Sequence, residues 1–170
     1  MLWLFKQFFY ICLMNRGPQH LPWSQGLLRA AILAYFLTGV LQMLTKAPLE
    51  TVLPMMVVDV AVMLLYAWVC LKAFNYPARF VQMATAMAGT GTLFQLLAWP
   101  LMAYLDYQQD IPSPGASILL VFIMGWYLAV YAHIFRESFN VQLLSAFVLT
   151  LAYTAIIVSV SQFFFPGVGV

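Results

Sequence analysis

Apolar residues in this chain do not alternate with polar ones as they would on the surface of a soluble strand or helix. They run in five long stretches, residues 25–46, 50–72, 79–104, 116–136 and 141–163, divided by short polar or proline-containing connectors. Each stretch reaches the roughly 20 residues that an α-helix needs to cross a hydrocarbon core about 30 Å thick. Inside a bilayer a spanning segment must satisfy its own backbone N–H and C=O groups, so the pattern predicts helices and not open strands. The expected fold class is all-α, a polytopic transmembrane helical bundle of five spans. The connectors 47–49, 73–78, 105–115 and 137–140 are too short to be domains.

Two further regions precede the bundle. Residues 1–15 are apolar but short, and Lys6 interrupts them, so they do not show the charge-first order of a cleaved leader. Trp3, Phe8, Phe9 and Tyr10 beside Lys6 and Gln7 fit an interfacial amphipathic helix, with a re-entrant or packed helix as the competing reading. Residues 16–24 form a Pro-rich hinge: Arg16, Gly17, Pro18, Gln19 and Pro22 are its candidate cytoplasmic residues, because each proline biases its predecessor towards extended backbone. Ser24 is placed to cap the following helix, and Trp23 suits the headgroup boundary. Residues 25–170 are then the five-span bundle.

Composition agrees with the pattern. Of 170 residues, 65% are apolar and only 7% are charged, against about 25% charged in a typical soluble domain. The net charge of +2 is too small to suggest a nucleic-acid partner, no basic run of five or more residues supports one, and none is expected. Lys6, Arg16, Arg29, Lys72, Arg79 and Arg136 fall on one side of the predicted topology and Lys46 alone on the other. The excess of Lys and Arg marks the cytoplasmic side. This puts the N-terminus inside and the C-terminus outside, in the periplasm if the membrane is a bacterial inner membrane. Glu50, Asp106 and Asp110 then face outward. Cys12 and Cys70 form no CxxC pair, and His20 and His133 stand alone, so no metal site and no cofactor is expected.

Asp59 is the residue that most invites a functional reading, since a carboxylate near the middle of an apolar span costs a few kcal/mol on insertion scales. Asp59, Met63, Tyr66 and Cys70 share a helix face, as do Ala31, Tyr35, Thr38, Gln42 and Thr45 on the first span and Thr85, Ala88, Thr92 and Gln95 on the third. The fifth span offers Gln142, Ser145, Ala152 and Ser159. At about 1.5 Å of rise per residue, Asp59 and Gln95 lie at similar depths. Asp59, Gln95, Ser159 and Gln42 are therefore the candidate intramembrane polar cluster. Its structural reading is a neutral acid hydrogen-bonded to Gln95 that holds helices together. Its functional alternative is a proton or cation site at Asp59 in a small transporter or channel subunit.

Other features favour packing. Gly89-Thr90-Gly91-Thr92 lacks the lysine of a phosphate loop and sits mid-span, and with Ala84 and Ala88, and Gly125 and Ala129, it supplies small residues for close helix approach. No serine, histidine and acid constellation, nor a cysteine and histidine pair, supports catalysis, so an enzyme is not expected.

The short N-terminal segment, the Gly17-Pro18-Gln19-His20-Leu21-Pro22 hinge and five closely spaced spans together resemble small bacterial inner-membrane proteins of the Yip1-like kind. The resemblance is architectural. It implies a cytoplasmic N-terminus and a group whose bacterial members mostly lack an assigned activity. Eukaryotic relatives are trafficking factors that engage small GTPases, and no residue here matches that contact. The function expected is that of a multi-pass protein acting by contact, as a scaffold, assembly or accessory subunit. Its expected partners are the lipid bilayer and another membrane protein or a second copy.

Overall fold

The computed structural model describes residues 2–107 and 114–166; Asp110 lies outside them, and the side chain of Asp106 is likewise not described. Among the described residues the chain is helical, with no strand. The helices are α1 (Leu2–Cys12), α2 (Gln25–Met43), α3 (Leu49–Ala73), α4 (Phe80–Tyr107), α5 (Pro114–Phe139) and α6 (Leu143–Phe164). Short 3-10 turns at Pro18–His20 and Pro77–Arg79 lead into α2 and α4. The five long helices follow the five apolar stretches closely. The largest end differences are at α2, which stops three residues early, and at α4 and α5, whose far ends each run on by three.

Local chemistry explains those ends. Ser24 Oγ accepts from the Leu27 amide at 3.3 Å and starts α2. Asn75 and Asn140, with φ of 62° and 55°, take the left-handed conformation that closes α3 and α5. Helix α5 runs through 137–139, expected as connector, because Arg79 Nη1 donates to the Ser138 carbonyl at 2.9 Å and to that of Glu137 at 3.2 Å, satisfying its orphan acceptors. Met14, with φ of 56°, closes α1, and its neighbour Asn15 donates back to the Tyr10 carbonyl at 3.0 Å.

The long helices form a closed ring in which α2 packs on α3 and α4, α3 on α6, and α5 bridges α4 and α6; α3 also touches α4. Four of them, α2, α3, α5 and α6, are long and apolar enough to cross a membrane. Large apolar side chains stand exposed around the ring: Leu37 on α2, Leu65 on α3, Val121 on α5 and Leu144 on α6. In water such a surface would be an aggregation hazard, whereas in lipid it is the ordinary exterior. Helix α4 is different. It is long enough, but Thr85, Thr90, Thr92 and Gln95 dilute its apolar content, and it is not among the four.

Helix α1 packs on both α4 and α5 and does not lie apart from the bundle. Its Phe8 ring occupies the space that a Cβ on Gly89 would need. Trp126 Nε1 donates to the Cys12 carbonyl at 2.8 Å, and Trp126 is about 20 Å along α5 from the Phe139 end at 1.5 Å per residue. Helix α1 is thus packed against α4 and α5 through these contacts. The reason is the glycine, which hydropathy cannot register.

The hinge residues are packed too. Gly17, Pro18 and Leu21 are buried, and Gln82 Nε2 donates to the Leu21 carbonyl at 2.8 Å. Arg16 Nη1 donates to Gln7 Oε1 at 2.8 Å, the Arg16 carbonyl lies 3.1 Å from His133 Nε2, and Gln19 Nε2 donates to Glu137 Oε2 at 2.9 Å. Pro22 is exposed. The segment is a strut bound to α4 and α5 through these contacts.

Candidate functional site

The polar core of the ring is built around two glycines. At Gly91 of α4 a Cβ would stand 2.7 Å from Tyr35 Cε2 and 3.1 Å from the Tyr131 hydroxyl. Its absence lets the Tyr35 ring of α2 lie against the α4 backbone. From there the Tyr35 hydroxyl donates to Asp59 Oδ2 of α3 at 2.7 Å. At Gly39 of α2 the missing Cβ leaves room for the Met56 side chain and for Gln95, whose Nε2 would be 3.2 Å away. Thr38 Oγ1 donates to Gln95 Oε1 and links α2 to α4.

The expected cluster of four is therefore resolved into separate contacts. Asp59 pairs with Tyr35 and Gln95 with Thr38, while Gln42 Nε2 donates to Met102 Sδ at 2.9 Å. Ser159 does not join them: it is exposed on the outside of α6, as are Gln142, Ser145 and Ala152. The face of α6 that turns inward carries Ala146, Thr150, Tyr153 and Ser161. A small hydroxyl on a helix need not seek a neighbouring helix, because it can bond its own backbone, as half-buried Thr154 does by donating to the Thr150 carbonyl at 3.0 Å.

Residues outside the expected cluster complete the core. The Tyr131 hydroxyl of α5 donates to the Met87 carbonyl of α4 at 3.0 Å, and the Tyr66 hydroxyl of α3 donates to the Leu149 carbonyl of α6 at 2.7 Å. Tyr153 stacks on Tyr131 with centroids 5.6 Å apart and lies 5.2 Å from the Tyr66 ring. Tyr127 lies against Tyr131 at 4.3 Å. The signal available in the sequence was the spacing of Tyr127, Tyr131, Phe135 and Phe139 at every fourth residue of α5, an aromatic stripe on one helix face. The hydroxyls of Thr85, Thr90 and Thr92 return to carbonyls of their own helix, which agrees with reading the Gly-Thr repeat as packing.

Four adjacent helix pairs are thus tied through polar side chains: α2 to α3, α2 to α4, α3 to α6 and α4 to α5. The pair α5 and α6 meets through the Tyr131, Phe135 and Tyr153 rings. Among the described residues no group of three His, Cys, Asp or Glu side chains could hold a metal ion. The arrangement is that of a helical bundle, four of whose helices are long and apolar enough to cross a membrane, with interior polarity that joins helices. Compared with protein-family models, with curated proteins and with solved structures, the chain matches none.

Proposed function

We propose that this protein is a five-span scaffold, assembly or accessory subunit of a bacterial inner membrane that acts by contact and not by catalysis or transport. The observation that carries the reading is the use made of the polar core: Tyr35, Thr38, Tyr66 and Tyr131 each donate to a neighbouring helix. Interhelical bonds of this kind stabilise one packing. A transporter that alternates between two packings would have to break them in each cycle.

The fifth span in this reading is α4. Its threonines and Gln95 face neighbouring helices or their own backbone, so their polarity costs little in lipid. The cytoplasmic side is the end that carries Arg16, Lys72, Arg79 and Arg136, with α1 dipping into that leaflet from below. The Yip1-like likeness contributes architecture alone. A periplasmically active reporter fused after Val170 should be active and the same reporter fused after Asn75 silent; the opposite pattern would overturn the topology. Copurification in mild detergent should recover a stoichiometric membrane-protein partner or a second copy. A chain that is monomeric and partner-free under conditions that keep it folded would contradict the contact role. The alternative, a proton or cation path through Asp59, is tested separately by flux in reconstituted vesicles.

A further inference from the structure

An apolar groove runs between the halves of α4 and α5 that lie beyond α1. At its inner end Phe9 and Cys12 of α1 meet Leu93, Phe94, Leu97 and Trp126. It continues past Leu101 and Phe122 to Tyr104 and Leu119. Gly125 opens onto the same wall beside Phe122 and Trp126, with no atom within 4 Å of where its Cβ would be. Nothing in the described residues fills this cleft, although Phe122 is 67% exposed and Leu119 is 50% exposed along its edge.

Its length decides what fits. From Leu93 to Tyr104 the groove extends about 16 Å at 1.5 Å per helical residue, close to the roughly 15 Å of one leaflet in a core about 30 Å thick. A transmembrane helix from a partner or a second copy would have to continue through the other leaflet. There the space between α4 and α5 is already taken, by Phe8 against Gly89 and by the Cys12 carbonyl bonded to Trp126. An acyl chain has no such requirement, since it hangs from a headgroup at one surface and ends near the midplane. We propose that this groove binds one acyl chain of a phospholipid from the leaflet opposite α1, with the end of α1 as its floor and Tyr104 at its mouth. The proposal rests on the bilayer placement given above but not on the contact role.

The test uses the full chain in phosphatidylcholine vesicles that contain a low fraction of lipid brominated near the chain ends, with tryptophan fluorescence as the reading. In one variant Trp126 is the sole tryptophan, the other four being phenylalanine; in a second, all five are phenylalanine and Ile156→Trp, at an exposed position of α6 about 20 Å from the same membrane side as Trp126, supplies the sole one. Quenching of Trp126 should exceed that set by the bulk fraction of brominated lipid, and the tryptophan at 156 should follow the bulk fraction. Adding Leu97→Phe, at a half-exposed position where the two parts of the groove meet, narrows the groove and should abolish the excess without unfolding the chain. Equal, bulk-like quenching of both tryptophans would overturn the groove proposal and leave the membrane placement standing. Quenching of neither would overturn the placement itself. Disulfide-linked dimers from Phe122→Cys, on the groove's edge, in a background lacking Cys12 and Cys70 would show that a second copy occupies the groove, and would also overturn the proposal.

Discussion

The two halves of α4 are built for different surroundings. From Val81 to Gly91 the helix is buried at every position but Gln82, and consists mostly of alanine, glycine, threonine and methionine. From Leu96 onward it carries large apolar side chains, and Leu96 and Leu97 are nearly half exposed. The first half lies against Phe8 of α1, Tyr35 of α2 and Tyr131 of α5, while the second lines the groove and meets α2 at Met102. Lipid tails are as apolar as leucine, so burying a leucine against protein gains little in a membrane, whereas small residues gain contact by letting backbones approach. Along α4 small side chains mark the enclosed half and large apolar ones the exposed half, and the space the small ones leave is taken by large rings from its neighbours, Phe8, Tyr35 and Tyr131.

Overpacking the enclosed half should produce the largest effect. Gly91→Leu drives a side chain into the Tyr35 ring, and inserting methylenes into a packed core costs about 1–3 kcal/mol. A clear fall in melting temperature in detergent is expected, with loss of the Tyr35 contact to Asp59; unchanged stability would mean that α2 and α4 are not in close contact at this level. Gly89→Leu should displace Phe8 and free α1, read as faster alkylation of Cys12, which is buried in the native chain. Native-like slow alkylation would contradict the seating of α1. Removing one tie, in Tyr35→Phe, should cost less, on the order of 0.6 kcal/mol by comparison with measured interhelical bonds. Leu96→Ala on the exposed half should be nearly silent. A loss as large as that of Gly91→Leu would erase the distinction between the halves.

The course of the five long helices was legible in the sequence because length, proline and asparagine punctuation and the ~20-residue requirement act locally. Which face of each helix turns inward was legible only in part. Asp59, Met63 and Cys70 share an inward or half-buried face as their spacing implied, and Tyr35 and Thr38 were on the expected stripe of α2. Gln95 and Gln42 turned out to have other partners, and Ser159 faces outward. These outcomes depend on which helices become neighbours, and uniformly apolar helices do not encode that in their polarity. That α1 packs against α4 was legible only as a competing reading, since the contact uses a notch at Gly89 some eighty residues away.

The reading of the polar core as a set of ties is tested most directly by Asp59→Asn in reconstituted vesicles, with thermal stability and proton and cation flux measured on the same preparations. Asparagine keeps an oxygen that can accept from the Tyr35 hydroxyl, now 2.7 Å from Asp59 Oδ2. Wild-type vesicles should show no flux above protein-free controls, and the variant should melt with the wild type. Flux through the wild type that Asp59→Asn abolishes at unchanged stability would contradict the account and make Asp59 a charge-handling site.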